Sequence, residues 1–232
     1  MSKMTDCFRQ RWVGQAAPPT SSSQQAFIAG ITGAGGAVTA ESGGFLRLLF
    51  SNANEVANVR IHFNDKLSFL RGDLISFEAM VRASDAAFAS ATQVALGMGS
   101  AYNADPDVIT AAAMFRSKAN TSNAVILESD DDVTNIDDVA TGLKLLTSWQ
   151  RFRIEFSTAI KSMAAPGISK GGVATFFMGD ARGKLTPVGT TKLFDLSGYA
   201  LGLQPIFQIS KTSSTNAHHL DIKYVEVEYK VN

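Results

Sequence analysis

From Trp149 to Phe156 the chain alternates without a break. Gln150, Phe152, Ile154 and Phe156 fall on one side; Trp149, Arg151, Arg153 and Glu155 fall on the other. A period of two is what a strand with one buried face produces. Such a strand leaves its backbone N–H and C=O groups unpaired until neighbours meet them. The alternation therefore commits the chain to a sheet, and the shorter strand-like runs on both sides of it are the partners.

At 232 residues the chain is long enough to bury one substantial core, and all-β sandwiches of this length fold as one domain. Hydrophobic residues make up 45%, which excludes a wholly disordered chain. Lys plus Arg equals Asp plus Glu, at 21 each, so no basic excess draws the protein to nucleic acid. No apolar run reaches the ~18 residues that cross a membrane. The opening MSKMTDCFRQRW has no apolar h-region, so a secretory signal is not expected. Cys7 is alone and cannot form an intramolecular disulfide, which fits folding in a reducing cytosol. Balanced charge is compatible with dense packing beside copies of the same chain.

Residues 1–40 differ from the rest. A polar start with a few large residues (Phe8, Trp12, Val13) runs into QAAPPTSSSQQ, then into a Gly, Ala, Ser and Thr-rich stretch. Little apolar surface is present to offset the ordering entropy. The segment reads either as a disordered tail or as an extended arm that orders on a neighbouring subunit, with Phe8, Trp12, Pro18 and Pro19 at the contact.

From residue 41 onward strands dominate. Phe45–Phe50, Val59–Phe63, Leu74–Arg82, Gln93–Met98, Ala111–Phe115, Ala124–Leu127, Val173–Met178 and Leu203–Ser210 join the central strand. Pro205 suggests an edge or a bulge. In the last strand, LDIKYVEVEYKV, Leu220, Ile222 and Tyr224 share one phase and Val225, Val227, Tyr229 and Val231 the other. The switch demands a bulge or a corner, because a one-residue slip turns every side chain over. The stretch from Glu128 to Ala140, with five aspartates, reads as a loop, and Ile160–Gly172 as a connection. Ser84–Ala91 is the best helix candidate and is short. About ten strands without a three-turn amphipathic helix predict an all-β antiparallel sandwich.

The order FLRLLF, LISFEAMVR, QVALGMG, TSWQRFRIEF, VATFFMGD, LQPIFQISK and LDIKYVEV resembles the concanavalin A-like jelly-roll superfamily over about four-fifths of the chain. That resemblance implies a jelly-roll β-sandwich at 41–232 behind an extended N-terminal arm at 1–40. Domains of this kind are frequent in tailed-bacteriophage virions as capsid decoration (cement) proteins and as tail or fibre modules. Superfamily alone does not set function.

The chemistry of glycan-active jelly rolls is mostly missing. Glu226 and Glu228 share a face, but the Glu-x-Asp-x-x-Glu signature of laminarinase-like enzymes and the alginate-lyase patterns are absent. His218 and His219 are adjacent and point to opposite faces of a strand, and His62 stands apart, so no zinc site is expected. The acidic stretch Asp130, Asp131, Asp132, Asp137, Asp138 lacks EF-hand spacing; it reads as a solvated loop or a Ca²⁺ site. Arg71-Gly72-Asp73 spells an adhesive tripeptide and reads more simply as a turn. Arg151 and Arg153 beside Trp149 could hold a sugar or a partner's carboxylates.

The expectation is a structural virion protein, not an enzyme, with no cofactor and no metal. It would bind the major capsid protein and itself, a trimer being favoured, and would touch neither nucleic acid nor membrane. The alternative is a carbohydrate-binding adhesion module of a phage tail or fibre, taking host surface glycans through Asp131, Asp132, Trp149 and Arg151.

Overall fold

The computed structural model of the chain describes residues 4–12, 18, 27–63, 68–85, 88, 91–157 and 172–231. In chain order the strands are β1 (Met4–Arg11), β2 (Ile28–Thr32), β3 (Gly36–Glu41), β4 (Phe45–Phe50), β5 (Glu55–His62), β6 (Phe69–Leu70), β7 (Leu74–Ala83), β8 (Thr92–Gly99) and β9 (Ala111–Ser117). There follow β10 (Ala124–Asp131), β11 (Asn135–Lys144), β12 (Gln150–Ser157), β13 (Val173–Asp180), β14 (Thr186–Val188), β15 (Phe194–Asp195), β16 (Gly202–Ser214) and β17 (His219–Val231). Among the described residues the single helical turn is the 3-10 turn Pro106–Val108. The helix candidate Ser84–Ala91 and the connection before Gly172 fall largely outside the described residues, as does Pro19.

All pairing is antiparallel, in two sheets. The first runs β14-β13-β12-β7-β17-β4-β3, with β1 beside the C-terminal half of β17 and β15 beside β13. The second runs β11-β10-β9-β8-β16-β5-β2, with β6 beside β16. The molecule is an all-β jelly-roll sandwich.

Alternation explains the layers. Phe152, Ile154 and Phe156 of the central strand are buried, as are Phe77, Ala79 and Val81 of β7 and Val94, Leu96 and Met98 of β8. Rings tie the two inner faces together. Phe115 of the second sheet meets Phe152 at 5.1 Å and Phe176 at 5.0 Å, both edge-on, and Phe77 meets Phe207 at 5.9 Å. Edge-to-face rings add to the area they bury.

The phase switch in the last strand is a bulge. The register of β17 against β7 shifts between Ile222 and Tyr224, leaving Lys223 as the extra, exposed residue. Leu220 and Ile222 before it and Val225 and Val227 after it are all fully buried. Pro205 is on an interior strand, correcting the edge reading. It faces Met98 of β8, and pairing with β5 begins only at Ile206, so one ladder is not asked of it.

Two further expectations are corrected. The described parts of residues 1–40 are strands of this fold, not a free arm. β1 pairs residue by residue with β17, β2 with β5 and β3 with β4. Trp12 is 2% exposed and Pro18 is buried. Phe8 packs on Phe27, Phe63 and Phe69, and Trp12 on Phe27. The aromatic residues are therefore drawn into the chain's own core. The acidic stretch is also not a loop but the β10–β11 hairpin. Its turn forms because the Asp131 carboxylate accepts from the backbone N–H of Val133 and Thr134, and Asp132 adopts φ 69°.

One outer face is roofed and the other is open. The segment after β8 crosses the second sheet, and Ala95, Ile109, Ala112, Met114 and Ile206 form a small core beneath it. The Ala104 carbonyl accepts from Asn58 Nδ2 and Gln208 Nε2. Tyr102 stacks on His62 at 5.0 Å. The first sheet carries no such cover among the described residues.

Candidate functional site

The outer face of the first sheet is a grid set by register. One row reads Arg153, Glu78, Glu226, Arg9, and the next Arg151, Met80, Tyr224, Arg11, across β12, β7, β17 and β1. Opposite charges directly across strands stabilise a sheet. Glu78 is the hub. Arg151 donates from Nε and Nη2 at 3.1 Å each, Arg153 Nη1 at 3.3 Å, and the Tyr224 hydroxyl also donates to it. Burial alone would raise the Glu78 carboxyl, but the bonds from Arg151, Tyr224 and Arg153 outweigh it and hold it below the ordinary range. Burial and the bond to ionised Glu78 push the Tyr224 hydroxyl well up.

Past the Lys223 bulge the face becomes aromatic and cationic. Asp221, fully buried, accepts from Arg47 (2.7 and 3.0 Å) and Arg82 (2.9 Å) on the flanking strands. Above them Phe45 and Trp149 meet edge-on at 5.6 Å. The Arg82 guanidinium lies 4.5 Å from the Trp149 ring and 5.1 Å from Phe45, and the Lys223 ammonium 5.5 Å from Trp149. Arg47 and Arg82 share one submerged carboxylate, and Lys223 lies near the same Trp149 ring as Arg82. His219 lies 3.9 Å from Asp221; burial, then nearby Arg47, lower its imidazole despite that carboxylate.

Trp149 and Arg151 thus share one face, as the alternation foretold. Asp131 and Asp132 are not with them; they belong to the hairpin turn of the second sheet. Asp131 is buried and accepts from three backbone N–H groups, those of Val133, Thr134 and Gly198. That leaves it little capacity for a metal or a sugar. No group of three or more His, Cys, Asp or Glu side chains poised for a metal occurs among the described residues. Glu226 pairs with Arg9, and Glu228 accepts from Ser76 Oγ at 3.2 Å. Cys7 is exposed; burial of its thiol and the neighbouring Glu226 push its pKa up, making it a poor nucleophile. His218 Nδ1 lies 2.8 Å from Asp85. Arg71-Gly72-Asp73 forms the turn between β6 and β7, with Arg71 Nε donating to the Tyr199 carbonyl.

Sequence reasoning missed Glu78 and Glu128. Glu128, on the outer face of β10, lies 2.5 Å from Arg116, and burial raises its carboxyl despite that partner. Burial likewise raises Asp130, two residues on. Glu128-Ser129-Asp130 opens the Glu-x-Asp-x-x-Glu order, but Val133, 81% exposed, stands in its last place. The cavity beside these carboxyls is only about 10 Å³.

No protein-family model matches the chain, and no curated protein matches it. Solved structures do. Peanut lectin superposes over 99% of both chains at 14% identity and a TM-score of 0.59. The carbohydrate recognition domain of Emp46p, potassium-bound, covers 93% of this chain and 97% of its own at 11% identity and 0.54. A glycosyl hydrolase family protein from Mycobacterium fortuitum covers 98% and 100% at 11% identity and 0.53. At such identities the likeness is one of fold. The fold is the concanavalin A-like jelly roll found in lectins and glycosidases.

Proposed function

We propose that the chain is a carbohydrate-binding, lectin-like adhesion module that transforms no substrate. The observation that carries this is the open end of the first sheet. The Phe45–Trp149 pair gives it apolar ring surface, and Arg47, Arg82 and Lys223 supply charged donors. The full-length likeness to two carbohydrate-binding proteins supports the reading. Against catalysis stand the depressed Glu78 carboxyl and the missing third carboxylate at Val133, since retaining hydrolysis needs one acid and one nucleophile about 5 Å apart. A glycan array probed with the wild type, Trp149→Ala and Lys223→Ala tests it. Signals lost in both variants support the site. A wild type that binds no glycan, or that releases reducing ends from polysaccharide, overturns the reading.

A second reading is favoured by β1. It is an eight-residue edge strand whose outer edge faces no other strand among the described residues. Open edges accept strands from other chains. That suits a capsid decoration protein of a tailed bacteriophage, bound to the major capsid protein and to neighbouring copies, with a trimer as the unit. Native mass measurement of the free chain and of decorated shells tests it; a lone monomer that ignores shells excludes it.

A further inference from the structure

The geometry points to a second binding site, for a single-chain aliphatic carboxylate, on the open side of the sandwich. There the edges of the two sheets part around a cleft of about 550 Å³, within the range of small-molecule pockets. Leu143 and Leu146, each 43% exposed, form its apolar wall with Met178 and Val188. Exposed leucines gathered in one concavity differ from single leucines scattered on a surface, which need no explanation.

The cleft is preformed. Buried Gln150 accepts from the Leu146 N–H at 2.7 Å and donates to the Lys144 carbonyl at 3.0 Å. Thr141 Oγ1 donates to the Val125 carbonyl and accepts from the Leu143 N–H. Asn123 donates to the Leu145 carbonyl. Three side chains thus pin the backbone of one wall, so little ordering remains to be done on binding. The opposite wall is fixed by pairing of β13 with β14, Met178 facing Thr186.

The head group follows from charge. Lys144 and Lys184 are both exposed and both line the cleft, and neither makes an ion pair among the described residues. The one carboxylate in the lining, Asp180, accepts from the backbone N–H groups of Arg182 and Gly183, which partly satisfies it. An aliphatic tail on the leucine wall with its carboxylate between the lysines fits that balance.

Calorimetric titration of the full chain with decanoate, dodecanoate and dodecyltrimethylammonium, each below its micelle threshold, tests the assignment. Each added methylene is expected to tighten binding about fourfold, so dodecanoate should exceed decanoate about fifteenfold. Leu146→Ser and Leu143→Ser, both at exposed positions, should each weaken dodecanoate about tenfold or more. Lys144→Gln with Lys184→Gln should weaken dodecanoate and spare any glycan signal, which separates this site from the Trp149 face. Equal affinity of wild type and Leu146→Ser for dodecanoate overturns the site. Equal affinity for dodecanoate and dodecyltrimethylammonium overturns the head-group assignment.

Discussion

Arg151 closes on Glu78 from the neighbouring strand with two parallel bonds of 3.1 Å, one to each carboxylate oxygen. This fork geometry is what arginine offers and lysine lacks. It holds Glu78 ionised while Tyr224 on the other side stays protonated and donates to it. The central strand is thereby locked to β7, and β7 to β17, across the middle of the first sheet.

Glu78→Gln is expected to cost about 1–3 kcal/mol at neutral pH, because two guanidinium groups and a hydroxyl lose their shared acceptor. The pH dependence has a definite sign. The folded carboxyl titrates below its unfolded value, so the unfolded chain takes up the proton first as pH falls. The stability it contributes is complete above the ordinary carboxylate range and drains away as pH drops through the depressed folded value. Urea denaturation from about pH 7 to about pH 3 should show a shallower acid limb in the variant. An unchanged limb would mean that Glu78 is not the group responsible.

Asp131→Asn should destabilise by about 1–3 kcal/mol, since three backbone N–H groups at the hairpin turn lose an ionic acceptor. Asp132→Asn should be nearly neutral, its side chain being exposed, and Asn tolerates the positive φ of that position. Melting temperatures of the two variants, with and without Ca²⁺, check this. A large Ca²⁺-dependent rise lost in both variants would restore the metal reading.

The strands that sequence disclosed are those with one face on the core. β12 and much of β7 show a period of two, and β4 and β13 stood out as compact apolar runs. The strands that stayed hidden are edges. In β11 most residues are exposed, and only Ile136, Val139 and Thr141 are half-buried, so its acidic stretch looked like a loop. β2 and β3 carry Gly, Ala and Thr, whose pairing is with backbone and not with side-chain bulk. For β1 the sequence showed Phe8 and Trp12 but not what they touch. Their partners Phe27, Phe63 and Phe69 come from other elements. The site was half legible for the same reason. Trp149 and Arg151 lie on one strand, and alternation put them on one face. Glu78 and Tyr224 stand 73 and 146 positions away along their bonds, and only register brings them in.

Trp12→Ala should cost about 3–5 kcal/mol, the usual penalty for removing a large buried ring. Deleting residues 1–25 removes β1 as well, exposing the edge of β17 from Tyr224 to Val231. Denaturation midpoints should fall in both. A deletion as stable as the parent would mean that β1 is not part of the folding unit, and the arm reading would return.

Gly97 sits at φ 152° in β8, and a Cβ there would stand 2.3 Å from the Ala113 carbonyl oxygen on the adjoining strand. Backbone cannot yield as a side-chain tip can. Gly97→Ala should therefore open the β8–β9 ladder, and amide exchange across β9 should quicken relative to β12. Unchanged exchange across β9 in the variant would show that the ladder accommodates the added methyl without opening.

Lys223 is the bulge residue of the last strand. It is the one residue of β17 without a partner between Ile222 and Tyr224, and it lets Ile222 and Val225 both face inward. Lys223→Ala keeps that count and should change stability by no more than about 0.5 kcal/mol, the range for exposed sites. Deleting Lys223 restores strict alternation. Ile222, Val225 and Val227 would then still face inward and Tyr224, Glu226 and Glu228 outward, in a regular ladder opposite Val81, Met80, Ala79, Glu78 and Phe77 of β7, so the deletion is also expected to fold. Expression of the two variants, with circular dichroism and a melting curve, checks both expectations. A deletion that fails to fold while the substitution folds would mean that Lys223 is not a surplus residue of the β17–β7 ladder, and the charged grid built on that register would not stand.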